Sequence, residues 1–410
     1  MRIWIKLLLG SIIGVALGLF LPLKEGATAQ TFSVISDIVL NIGRWVLFPL
    51  VFFSVAAATH ELRQDKHVLV VFGRIIAYLA ASTAILVIFG TLSIVLLSPA
   101  RIPIIDEQHV AFTLPSFISI LHQLFPQNMF TIFSNDGNFL LPIYFLAFFI
   151  GLNFSFDRLI TRPTYQLFDS LGRIFYHINS FVVELLAIGM IALSAYLLLG
   201  LRASPDLGLF TQLITVLVID VAIIIFGLYP VLLFYLGERE NPYRWLYATL
   251  APAIAGFFSG NSYFSISVTI RHGKESLGVP RTVGAPAYPL AVLFGRAGTA
   301  LVTAVSFVVI LKSYSSLGIS IGQVFWVMGA SLLVSFLLGS VPGMGAFVAL
   351  SLLCSSYGKG LEQGYLILKP VAPLLVSIGV LLDMVTASLV SLLVARHEGL
   401  QKEIEVKDYI

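Results

Sequence analysis

Apolar runs long enough to cross hydrocarbon recur along the chain between short polar breaks, at Ile3–Pro22, Phe32–Ala58, Val68–Leu97, Leu140–Phe156, Phe181–Leu201, Leu209–Leu236, Pro286–Leu311 and Ile367–Ala395. A helix rises about 1.5 Å per residue, so roughly 20 apolar residues cross a bilayer core. The pattern predicts an all-α polytopic membrane protein with eight transmembrane helices. Two further apolar stretches, Trp245–Ile270 and Ile319–Cys354, are interrupted near their centres, at Ser259-Gly260-Asn261-Ser262 and at Val341-Pro342-Gly343-Met344-Gly345. Pro342 removes a backbone donor, and Gly343 and Gly345 are expected to open positive φ. Each interruption predicts the tip of a half-crossing helical hairpin; the plain alternative is a kinked span. Non-helical backbone at that depth survives only where protein or a water-filled cavity surrounds it, so the tips should face each other or a ligand.

Composition agrees with a membrane chain: 58% of residues are hydrophobic, 11% are charged, and mean hydropathy is +0.97. The opening Met1-Arg2-Ile3-Trp4-Ile5-Lys6 lacks a convincing small-residue cleavage site downstream and reads as the start of a retained helix. A single cysteine, Cys354, rules out an internal disulfide, no Cys/His spacing suggests a metal or cofactor, and a net charge of +3 makes no case for nucleic acid.

Lys and Arg in short loops stay cytoplasmic. With the amino terminus inside, sixteen basic residues (Arg2, Lys6, Arg63, Lys66, Arg74, Arg158, Arg162, Arg173, Arg239, Arg244, Arg271, Lys274, Arg281, Arg396, Lys402 and Lys407) fall in the cytoplasm. Six fall outside (Lys24, Arg101, Arg202, Lys312, Lys359 and Lys369). That asymmetry requires each interrupted stretch to enter and leave on one side. One hairpin then dips from each face, each followed by a full span, which is the pattern of an inverted repeat with binding near the midplane.

Arg44 and Arg296 remain within apolar segments. Arg44 lies beside Trp45 near the outer end of its helix and can snorkel. Arg296 sits alone inside Pro286–Leu311, where burying a guanidinium costs about 3 kcal/mol or more. In the second half of the chain only Asp383, within Val371–Ala395, is read as occupying a comparable place. Arg296 and Asp383 mark either a solute site or an internal salt bridge. No H-E-x-x-H or G-x-S-x-G string is present, and an enzyme is not expected.

Around the hairpins the sequence resembles the dicarboxylate/amino acid:cation symporter family, the glutamate transporter homologues. The likeness runs through Phe48-Pro49-Leu50-Val51-Phe52-Phe53-Ser54, Phe125-Pro126-Gln127-Asn128, Leu140-Leu141-Pro142-Ile143, Val268-Thr269-Ile270-Arg271, Gly298-Thr299-Ala300-Leu301, Val341-Pro342-Gly343 with Gly345, and Ala395-Arg396-His397-Glu398-Gly399. The resemblance implies an elevator-type homotrimer. Residues 1–237 would be mainly scaffold, with the third helix (68–97) and sixth-helix region (209–236) flanking the moving part. Residues 245–400 would form the transport core: hairpin 245–271, broken helix 286–311, hairpin 319–354 and last helix 367–396. Residues 401–410 would be a cytoplasmic tail. A small carboxylate-bearing solute would bind between the hairpin tips, the broken helix and the last helix, with Asn261, Ser262, Tyr263, Arg296, Thr299, Val341, Pro342, Gly343, Gly345 and Asp383 as candidate contacts.

Departures from the family pattern fall at its sodium ligands. Where the family has Asn-Met-Asp-Gly-Thr, this chain has Gly295-Arg296-Ala297-Gly298-Thr299. In the register preferred for the last helix, Gly379 stands at the family's substrate-binding arginine, Asp383 at an asparagine and Ala387 at a sodium-coordinating aspartate. A second register makes Asp383 the aspartate that meets a substrate amino group. Ser82, Thr83, Gly295 and Asp383 are what remains for a cation. The expectation is an inner-membrane secondary transporter of an amino acid or C4-dicarboxylate, with both termini cytoplasmic and Arg296 standing in for sodium, so that transport is coupled to a proton on Asp383 or uncoupled, with sodium the family's usual coupling ion. The alternative is an anion channel or a transport-inactive binding or sensing relative.

Overall fold

The computed structural model describes residues 2–21, 26–97, 100–103, 122, 128, 132–133, 139–204, 207–237, 241–315 and 319–410. Lys24, Arg239, most of the loop Ser98–Phe139 with Asp106 and Glu107, and the Phe125-Pro126-Gln127 string lie outside the described residues. The described chain is helical throughout, with no strand. Seven of its helical segments are long and apolar enough to cross a membrane.

The first helices are α1 (Ile3–Phe20), α2 (Gly26–Trp45), α3 (Leu47–Gln64) and α4 (Val68–Leu97). Helices α2 and α3 form one rod with a break at Val46. Pro49 has no N–H for the Trp45 carbonyl four residues back, which places the break there. Next come α5 (Leu141–Asn153) and α6 (Arg158–Ala203). The expected span 140–156 is thus helical over only 13 residues, about 20 Å and short of a full crossing. Helix α6 is far longer than the expected 181–201. Asp157 caps it by accepting from Leu159 N and Ile160 N, and Pro163 in its second turn forgoes one ladder bond, to Leu159 O. Helix α1 lies along α6 on a face of Gly10, Gly14 and Gly18, whose spacing of four residues brings the two backbones together.

The sixth apolar segment comprises α7 (Thr211–Ile223), a π-turn at Ile224–Leu228 and α8 (Tyr229–Leu236). Pro230 cannot donate to Phe226, and the chain widens immediately before it, with Tyr229 N bonding back to Ile224 O.

The rest of the chain forms the buried core. A first hairpin is built from α9 (Tyr243–Ala248), α10 (Leu250–Ser259) and α11 (Ser262–Glu275). A helix broken at Gly295-Arg296 follows as α12 (Arg281–Phe294) and α13 (Ala297–Tyr314). The second hairpin is α14 (Ile321–Ser335) and α15 (Gly345–Tyr357), and α16 (Ala372–His397) is the last long helix. The apolar windows of 281–314 and 364–397 are each 94% buried, against 33–50% for the other five spans, so the core centres on the broken helix and α16.

The hairpins lie along α16 in opposite senses. Near the first hairpin's base, Gly278 O accepts from Lys402 N and Ser276 Oγ from Ile410 N, past the carboxyl end of α16. The second hairpin's outer half packs at the amino end, with Phe347 edge-on to Tyr365. Both tips reach the same level of α16, beside Val376 and Ser377.

Candidate functional site

Each tip has one left-handed residue. In the first it is Gly260 (φ 55), and Asn261 then caps α11 by accepting from Tyr263 N at 3.0 Å and Phe264 N at 3.1 Å. In the second it is Met344 (φ 60); neither Gly343 nor Gly345 has positive φ, contrary to the expectation from sequence. These two glycines are needed for closeness instead. Gly343 pairs backbone to backbone with Asn261, and Ser262 N donates to Pro342 O at 2.8 Å, so the tips close directly on each other. A Cβ on Gly345 would stand 2.5 Å from Nη2 of Arg296.

Arg296 and Asp383 meet beneath the second tip, 1% and 2% exposed, with Arg296 Nε 3.4 Å from Asp383 Oδ2. Arg296 sits where the broken helix has no regular backbone, and its side chain is free to run along the hairpin. Nη1 donates to Leu338 O at 3.0 Å and to Val341 O at 2.6 Å. Nη2 is buried and without a partner. Asp383 is held from the other side by Thr299, whose backbone N–H donates to Oδ1 at 3.0 Å and whose hydroxyl donates to Oδ2 at 2.6 Å. The ion pair anticipated from two isolated charges is therefore present, with Thr299 completing it. Its cation also gathers two carbonyl oxygens of the second tip, which is how a hard metal cation would be held.

The other candidates divide. Asn261 and Gly343 line a cavity of about 490 Å³ together with Ser36, Asp37 and Tyr196 of the outer helices and Ser377 of α16. Ser262 Oγ is buried with no partner. Tyr263 is fully buried away from that cavity; its hydroxyl accepts from Leu140 N at 3.0 Å and donates to Gly339 O at 2.6 Å, a bracing role. Val341 and Pro342 contribute carbonyls, and both are already bonded. Ser82 and Thr83 direct their hydroxyls back to Leu79 O of their own helix, and the Gly295 carbonyl accepts from Ala297 N. These groups form no oxygen cage with Asp383.

Sequence reading missed two features. Asp37 faces the cavity from α2, and it lies near the start of the apolar run Phe32–Ala58. Asp220 is a second intramembrane carboxyl in the later half of the chain, 1% exposed in α7, which corrects the expectation that Asp383 stands alone there. A lone acid in an apolar run was the available signal, the same one that marked Arg296.

Two facing hairpin tips thus close over a buried ion pair in a multi-pass helical bundle. Residues 3–397 match the family model described as the sodium:dicarboxylate symporter family, and the chain belongs to that family. It is accordingly a symporter-type transporter of small solutes, a membership that speaks against an enzyme.

Proposed function

We propose that the protein is a secondary transporter that closes its second hairpin on a built-in cation, the Arg296 guanidinium, and works without sodium. The observation that carries this reading is the pair of hydrogen bonds from Arg296 Nη1 to Leu338 O and Val341 O. Carbonyls on a mobile gate repel one another unless a positive charge gathers them, and an arginine supplies that charge permanently because it does not deprotonate in proteins. A sodium ion brought to the same oxygens would face the guanidinium, and about 4 kcal/mol of repulsion at 4 Å and an effective dielectric of 20 opposes it.

The solute is a small carboxylate-bearing molecule taken into the cavity at the tips. Arg296 is committed to Asp383 and the carbonyls, no basic side chain lines that cavity among the described residues, and Asp37 does. This favours an amino acid, whose ammonium can meet Asp37, over a C4-dicarboxylate. The Asn261 side-chain amide and the Ser377 hydroxyl offer donors to its carboxylate. The larger arrangement is an elevator: residues 245–400 slide as a transport core, with 68–97 and 209–236 beside them, against a scaffold built from the rest of 1–237 in an inner-membrane homotrimer. The layout with opposed re-entrant hairpins and cytoplasmic termini, made of seven full-length spans and the shorter α5, is supported by the opposite senses of the hairpins along α16. It is supported too by the gathering of Arg2, Lys6, Arg271, Arg281 and Lys402 at one end.

Proteoliposome uptake of a panel of amino acids, monocarboxylates and C4-dicarboxylates tests the reading, with sodium present, with sodium absent, and with a pH gradient alone. Uptake of an amino acid that does not change when sodium is removed, and that falls at least tenfold in Arg296→Met, is expected. Strict dependence on sodium overturns the built-in cation. A dicarboxylate preference that is unaltered in Asp37→Asn overturns the assignment of the solute.

A further inference from the structure

Asp220 lies in the apolar segment 207–236, which contains the most apolar stretch of the seven candidate spans among the described residues. Its carboxyl is buried between α7 and α4. The groups around it are few. Helix α4 brings Ser93; α13, α16, the turn at Leu207–Phe210 and the π-turn, which also pack on α7, bring no charged or titratable side chain to it among the described residues. No Lys, Arg or His pairs with it there, and Oδ1 has no hydrogen-bond partner.

The contacts on the other oxygen bear on its chemical form. Ser93 Oγ lies 2.7 Å from Asp220 Oδ2 and 3.0 Å from Gly90 O, and both oxygens call for its one hydroxyl hydrogen. An ionised Asp220 cannot donate, so Ser93 would have to share its one hydrogen or give up the longer bond to Gly90 O. A neutral Asp220 donates from Oδ2 to Ser93 Oγ, Ser93 donates to Gly90 O, and both bonds form at once. A lone ionised carboxylate in such a place would also carry the full penalty of an unpaired intramembrane charge.

We propose that Asp220 is a proton-binding site within the membrane, loaded at neutral pH and distinct from the Arg296–Asp383 pair. Loading forms one O–H bond on Oδ2 with a proton taken from water, and release returns that proton to water when α4 and α7 part. Asp383, bound by a guanidinium and two Thr299 donors, is the fixed anion; Asp220 is the carboxyl free to change its charge. The π-turn four residues on gives α7 a place to rotate without breaking the helix.

Infrared spectroscopy of the full chain in liposomes at pH 7 tests the site without reference to transport, so its outcome is separate from that of the uptake assay. The C=O stretch of a protonated carboxylic acid is expected in the unmutated protein and in Asp383→Asn, and its loss is expected in Asp220→Asn. Ser93→Ala retains the acid but removes its acceptor, so the band should move to higher frequency. The site is overturned if the band survives in Asp220→Asn, if Ser93→Ala leaves its frequency unchanged, or if sodium added at constant pH abolishes it.

Discussion

A buried ion pair is held together by what each partner loses when the other goes. Removing one side leaves the other as an unpaired charge, so Arg296→Met and Asp383→Asn should each destabilise the protein by about 3–5 kcal/mol, while the double variant loses much less than the sum. Thermal unfolding in detergent measures all four corners of that cycle; additive losses would show that the two residues act apart. Gly345→Ala puts a methyl group against the guanidinium, 2.5 Å from Nη2, and should cost about 1–3 kcal/mol. Faster amide exchange in 338–344, with little change in α1 or α6, is the expected local sign that the second tip has loosened. Arg296 and Asp383 were legible because a charge in an apolar run is rare and expensive. Thr299 was legible only through the family resemblance. The bracing hydroxyl of Tyr263 was not legible at all, since its partners, Leu140 N and Gly339 O, are main-chain groups distant in sequence. Asp220 carried the right signal and was passed over because no opposite charge or motif stood in a matching segment.

At the level of elements, hydropathy located what is uniformly apolar and failed where helices leave the hydrocarbon. Val68–Leu97 agrees with α4 at both ends. Helix α6 extends 23 residues before Phe181, through a polar stretch from Arg158 that no hydropathy window would join to a span. Both hairpin tips were placed correctly by their Gly, Pro and Asn. The backbone of the second was not, because a left-handed Met344 between two glycines reverses the usual assignment. The tips depend on a few polar links, and Tyr263→Phe cuts two of them. It leaves Leu140 N–H without its acceptor and should lower stability by about 1–3 kcal/mol. Hydrogen exchange at Leu140 should rise with it; protection equal to that of the unmutated protein would mean the hydroxyl is dispensable.

On the scale of the whole molecule, the core is tied to the outer helices mainly at one end. Arg281 of α12 bridges Glu61 of α3 and Asp169 of α6, and Arg271 of α11 reaches Glu184 of α6 at 3.1 Å. These links were beyond the reach of sequence, which grouped their basic members on one side of the membrane but gave them no partners. The three groups joined by Arg281 are 21–28% exposed, so each bond contributes about 1 kcal/mol or less. If the core slides as proposed, Arg281→Gln should therefore shift the balance between its positions by roughly fivefold without unfolding the protein. Distance distributions between spin labels on α3 and α12 would reveal the shift, and identical distributions would show that the core does not move against α3. The guanidinium under the second tip has a last consequence. Carriers that must capture an ion before their gate seals are slow to return empty, and they exchange cargo faster than they accumulate it. If Arg296 is the sealing charge, as proposed, it never leaves, and an unladen protein can make the return journey as readily as a laden one. One-way filling of vesicles should then run at nearly the rate of swapping labelled for unlabelled solute.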